Sequence, residues 1–67
     1  MEEVLKEWLN SYEEGKPHLR LGQSLMLAIY NKNRQFYNNI YATSYDCFYV
    51  DSVIPKTLLK LEETLDV

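Results

Sequence analysis

Cysteine, histidine, glycine and proline are all scarce in this chain, and each scarcity removes a class of answer. Cys47 is the single cysteine among 67 residues, so no internal disulfide can staple the fold. His18 is the single histidine, which rules out a Cys/His set with zinc spacing. A reducing, cytoplasmic setting is the expectation. Two glycines and two prolines are too few for a linker or a low-complexity stretch. No run approaches the roughly 20 apolar residues of a membrane span. The start, Met1-Glu2-Glu3-Val4-Leu5-Lys6, lacks the basic opening and apolar run of a signal peptide. The expectation is therefore a protein that neither enters a membrane nor is processed.

Acid is also absent from one part of the chain. Residues 15 to 45 hold no Asp or Glu and carry Lys16, Arg20, Lys32 and Arg34, for +4. Residues 1 to 14 set five acids against Lys6, for −4, and residues 46 to 67 set five acids against two lysines, for −3. The net charge of −3 thus conceals a basic middle between acidic ends. A basic, amide-rich middle could steer an anionic partner. The plainer reading is that the acidic ends pack beside the middle and partly neutralise it, since exposed ion pairs are common and worth about 0–1 kcal/mol each.

What is present is enough to fold. Apolar types make up 46% of the residues and charged types 25%, which suits a single helical domain over residues 1–67 with one core. A domain of this size buries only about 60% of the surface its unfolded chain exposes, so a partner or a second copy would add stability. Six tyrosines, two phenylalanines and one tryptophan are many for one small core. Tyrosine suits core edges and interfaces equally, because its ring can be buried while its hydroxyl stays wet.

Apolar spacing predicts an all-α fold, a small bundle or orthogonal array of three to four helices. Val4, Leu5, Trp8, Leu9 and Tyr12 repeat at i, i+1, i+4, i+5 and i+8, which predicts a helix over 2–13 with Glu2 and Glu3 at its positive end. Gly15 and Pro17 supply its stop. Leu21, Leu25, Ala28 and Ile29 predict a second helix near 20–31, and Phe36, Tyr37, Ile40 and Tyr41 a third near 33–42, capped by Asn31 or Asn33. One bent helix through 21–41 is the alternative. Residues 43–51 show no helical period and read as a loop or one short strand. Ser52 can cap a last helix over 52–65, with Pro55 in its first turn and Ile54, Leu58, Leu61 and Leu65 as its stripe. The expected core is Leu5, Trp8, Leu9, Leu25, Ile29, Phe36, Ile40, Phe48, Ile54, Leu58 and Leu61.

Three functional classes compete for these residues. Arg34, Gln35, Asn38 and Asn39 could read base edges as the second helix of a helix-turn-helix, with Tyr37 or Tyr41 stacking on a base. Four basic residues and acidic ends give little of the phosphate neutralisation that drives such binding. An enzyme would have to be built from His18, Cys47 and scattered acids. Cys47 reads as a small buried apolar group, and Asp46 and Asp51 as loop ties rather than a cation pair, so no catalytic residue, cofactor or metal is expected. The favoured class is a non-catalytic protein-binding module, because surplus aromatics make interface anchors. Its expected face is Tyr30, Tyr37, Tyr41 and Tyr45, with Arg34 and Asn38 at the rim.

Arg20-Leu21-Gly22-Gln23, then Thr43 and Asp46-Cys47-Phe48-Tyr49-Val50-Asp51-Ser52-Val53-Ile54, resemble a pattern in small uncharacterised bacteriophage proteins. Those have an Arg-x-Gly-Gln start, an apolar helix, and an Asp-x-Phe-Tyr-x-Asp segment leading into a final helix. The resemblance covers about residues 19–61, and Cys47 stands where proline is usual. It implies no activity and no site residue, only a setting: a phage accessory protein in the host cytoplasm that binds a larger host or phage protein, alone or as a homo-oligomer. Read physically, Gly22 lets one backbone approach another, Arg20 pairs with Asp46 or Asp51, and Phe48 plugs the core.

Overall fold

The four expected helices are all present in the computed structural model, which describes residues 2–15 and 19–65. They are α1 (Glu2–Gly15), α2 (Leu21–Lys32), α3 (Arg34–Ile40) and α4 (Ile54–Leu65). No strand occurs among the described residues. The Cα radius of gyration is 10.8 Å, close to the roughly 10.9 Å that length scaling gives a folded chain of this size. Lys16, Pro17 and His18 lie outside the described residues, as do Met1, Asp66, Val67 and the Leu65 side chain.

The α2–α3 boundary resolves the alternative left open by the sequence in favour of two helices. Asn33 leaves helical geometry at φ −149°, while its N–H still donates to Ile29 O at 2.7 Å and closes α2. Its side chain turns forward and accepts from the Phe36 N–H at 3.0 Å, capping α3. One asparagine thus satisfies orphan groups of both helices. At its far end α3 stops at Ile40, two residues short of expectation, because the Thr43 N–H and hydroxyl both donate to Ile40 O. Ala42 follows in the left-handed region at φ 61°, which costs about 1–2 kcal/mol for a residue with a Cβ.

The last helix also starts later than expected. Asp51–Val53 form a 3-10 turn that runs into α4, so Ser52 lies inside that turn instead of capping a helix at 52. Pro55 sits in the first turn of α4, where its missing N–H removes no helical bond.

The core is centred on α2. Leu25, Met26, Ala28 and Ile29 are fully buried among Val4, Phe36, Ile40, Cys47 and Leu61. Trp8, Phe48, Ile54 and Leu58 pack against this cluster while half-buried. Leu5 and Leu9, expected inside, are exposed. The reason is tertiary: α1 packs along α2 and on little else, so its apolar stripe is wider than the surface available to cover it. Val4 and Trp8 take the covered side. Two hydroxyls are buried with their needs met. Ser24 donates to Leu21 O at 2.8 Å and accepts from the Trp8 indole, while Thr57 donates to Tyr45 O and to Val53 O. Burial without such partners would cost several kcal/mol each.

Candidate functional site

The expected face divides when folded. Tyr30 lies in the last turn of α2, and Arg34 and Tyr37 lie one turn apart on α3, so the Asn33 corner brings both helices' aromatics together. The rings of Tyr30 and Tyr37 meet edge to face at 5.1 Å, and Tyr37 and Tyr41 lie 5.6 Å apart at the i, i+4 spacing of α3. The Arg34 guanidinium stands 3.7 Å over the Tyr30 ring, and its Nε donates to Tyr30 O. Stacking and hydrogen bond together fix a charge that would otherwise sweep a wide volume. Tyr30 and Tyr41 remain 39% and 60% exposed, so the cluster presents ring surface to solvent. Asn38 is exposed one turn beyond Arg34. Burial pushes the Tyr37 phenol above its ordinary value, and the neighbouring Tyr41, Asp46 and Tyr30 add to that while Arg34 opposes it. Tyr37 therefore serves as a neutral ring and hydroxyl near neutral pH.

Tyr45 belongs elsewhere. Its carbonyl accepts the Thr57 hydroxyl, and its ring lies under the Lys56 and Lys60 ammonium groups at 5.0 and 5.4 Å. It fastens the loop to α4 beside the core.

The residues of the Arg-x-Gly and Asp-x-Phe-Tyr-x-Asp segments form one strap. The Gly22 N–H donates to Asp51 Oδ1 at 3.0 Å, and the same oxygen lies 3.9 Å from Arg20 Nε. Arg20 also donates to the Phe48 carbonyl. Asp46 accepts from the N–H groups of Ala42 and Phe48, closing the loop on itself. A Cβ on Gly22 would collide with the Cys47 carbonyl oxygen and crowd Asp51 Oδ1, so only glycine lets α2 approach the loop this closely. Both aspartates hold backbone. The Cys47 thiol is buried, donates to Gly22 O at 3.4 Å, and is pushed up in pKa mainly by that burial. It lacks the exposure and thiolate character a nucleophile needs.

Among the described residues of the basic middle, both arginines are engaged. Arg20 is tied to the loop, Arg34 to Tyr30, and Lys32 lines a polar depression with Glu3, Lys6, Glu7 and Asn10 of α1, where Asn31 also donates to Glu7. The connection between α2 and α3 is a single residue, shorter than the three or four of a DNA-binding helix-turn-helix.

One surface was missed by sequence reasoning. Leu5, Trp8, Leu9 and Tyr12 of α1, with Leu21 at the start of α2, line an open apolar groove of about 200 Å³. Leu5, Leu9 and Leu21 are 38%, 59% and 42% exposed. The Trp8 indole forms its wall, fixed by N–H donation to Leu21 O at 3.1 Å and Ser24 Oγ at 3.0 Å. The available signal was stripe width, since an apolar arc from Val4 round to Leu9 exceeds what one neighbouring helix covers. Among the described residues no helix is long and apolar enough to cross a membrane. The chain matches no family model, no curated protein and no solved structure.

Proposed function

We propose that this chain is a small non-catalytic module that binds a larger protein. The observation that carries the reading is that its large apolar side chains left open to solvent include two organised clusters, the Tyr30–Tyr37–Tyr41 group with Arg34 and the α1–α2 groove. Scattered apolar residues on a surface need no explanation, but ordered patches on a small domain mark contact surfaces. Rigid rings with a stacked arginine are the side chains that dominate interface energetics. The resemblance to small bacteriophage proteins supplies the setting, a host or phage protein as partner in the host cytoplasm. Nucleic-acid binding through the middle segment is the second reading, and it has less support because Arg20 and Arg34 are already partnered and Lys32 shares its depression with Glu3 and Glu7 as well as Lys6.

The test is retention of a stoichiometric partner by the tagged chain in its native host, repeated with Tyr30→Ala and Tyr41→Ala, whose rings are open enough to remove without unfolding the domain. A partner held across salt and weakened at least about fivefold by these changes supports the reading. A monomer that retains no partner but turns over a small molecule defeats it. So does micromolar binding to random nucleic acid at physiological salt that vanishes in a Lys32→Ala, Arg34→Ala double variant.

A further inference from the structure

The α1–α2 groove has a shape and a charge that specify its occupant. Leu5, Leu9 and Tyr12 stand at i, i+4 and i+7, a single seam along α1 that is about 10 Å long at 1.5 Å per residue. Two turns of seam between two helices is the counterpart of an amphipathic helix, whose anchors also recur at i, i+3 or i+4, and i+7. An extended segment would alternate its side chains and offer only every second one to the seam. The wall facing α2 is Trp8 and Leu21, which is apolar and held by the indole hydrogen bonds.

The opposite rim is set by helix geometry. Glu2 is three residues before Leu5 and Glu13 four after Leu9, so both lie along the solvent side of the seam, with Lys6 between them. On this rim Glu2 and Glu13 outnumber Lys6, while Glu3 and Glu7 lie on the other side of α1 beside Lys32 and Asn31. A second copy would bring the same acid excess against itself, and an anionic lipid surface would be repelled likewise. We infer that the groove receives an amphipathic helix with basic flanks from the partner protein. The apolar stripe of that helix lies against Leu5, Leu9 and Tyr12, and its Lys or Arg side chains meet Glu2 and Glu13. This rests on the protein-binding reading and deepens it, since it assigns the groove, and not the tyrosine cluster, as the seat of a helix.

Trp8 is the only tryptophan, so its emission reports on the groove directly. The probes are two synthetic helical peptides without aromatic residues, identical in their leucine stripe and flanked by lysine in one and glutamate in the other. Titrated into the full chain at low salt, the lysine-flanked peptide should shift Trp8 emission and bind at least about tenfold tighter than the glutamate-flanked one. That difference should shrink as salt shortens the Debye length from about 30 Å at 0.01 M to about 3 Å at 1 M. Leu9→Asn, at an exposed position, should leave helicity unchanged and weaken binding at least about tenfold.

Equal binding of the two peptides, indifference to Leu9→Asn, or no response of Trp8 would overturn the proposal. A dimer of the chain alone that Leu9→Asn dissociates would overturn it too, by naming a second copy as occupant. The broader reading is tested separately. A natural partner lost with Tyr41→Ala but kept with Leu9→Asn would leave protein binding intact and discard the groove.

Discussion

Residues 41–53 and helix α1 are built on opposite terms. The first has no repeating backbone geometry beyond one 3-10 turn, yet its carboxylates and carbonyls are tied. Asp46 holds two N–H groups of its own loop, Asp51 holds the start of α2, Phe48 O takes Arg20, and Tyr45 O takes Thr57. Helix α1 is the longest regular element, yet Leu5 and Leu9 of its stripe stay in solvent. Regular backbone is therefore no measure of how firmly a segment is joined to the rest. Side-chain to backbone hydrogen bonds fix a short loop at a few points, whereas a helix is fixed only as far as a neighbour covers its apolar face.

The sharpest way to break this contrast is Gly22→Ala. The added methyl meets the Cys47 carbonyl, which is backbone and cannot swing aside, so the α2–loop approach must open. The expected loss is about 3–5 kcal/mol in urea unfolding, a large share of the stability of such a domain. A loss under about 1 kcal/mol would mean the strap is slack.

A matched pair of leucines measures the two sides of the helical framework. Leu61 of α4 is fully buried, and Leu61→Ala should cost about 3 kcal/mol. Leu9→Ala removes the same atoms from an exposed site and should change stability by less than about 0.5 kcal/mol. Similar losses at both positions would place Leu9 under a cover that the monomer does not supply, and the same unfolding curves would then depend on protein concentration.

The smallest effect expected is on pH. Cys47 and Tyr37 both lose a proton on the basic side, and burial raises the pKa of each in the folded state. The unfolded chain therefore gives up these protons first. Their contribution to stability is complete at neutral pH and is lost as pH rises through and beyond the ordinary thiol value of 9.0. Cys47→Ala should remove the part of that decline nearest 9.0 and leave the later part due to Tyr37. A decline that is unchanged in Cys47→Ala would show that the thiol is not shielded.

Much of the fold was legible in local pattern, because each helix carries its own signals. Leu25, Ile29, Phe36, Ile40 and Leu61 are core on spacing alone, and their burial agrees. The strap was legible in part, since Gly22 marks a close backbone approach and Arg20 needs an acidic partner, but the choice between Asp46 and Asp51 stayed open until the loop was placed. The candidate surface was harder to read. Tyr30, Arg34, Tyr37 and Tyr41 fall together because they are near in sequence around one corner, but Tyr45 is drawn away by Lys56, Thr57 and Lys60, which are remote in the chain. Leu5, Trp8 and Leu9 of the α1 groove all count as core on spacing, yet Leu5 and Leu9 are exposed. Periodicity says which residues share a face, and not how much of that face a neighbour will cover.

The sequence by itself determined the all-helical class and the glycine at the close approach of α2, and left open whether 21–41 is one bent helix or two helices meeting at Asn33. What it determined depends on backbone preference and on side chains within a few residues of one another, or on the absence of a Cβ. Only the tertiary structure decided that Val4 goes in while Leu5 and Leu9 stay out, that Asp51 and not Asp46 takes Arg20, and that Tyr45 sits under two lysines. Each of those outcomes is a competition among distant groups for one limited surface, and the winner is set by where the helices pack.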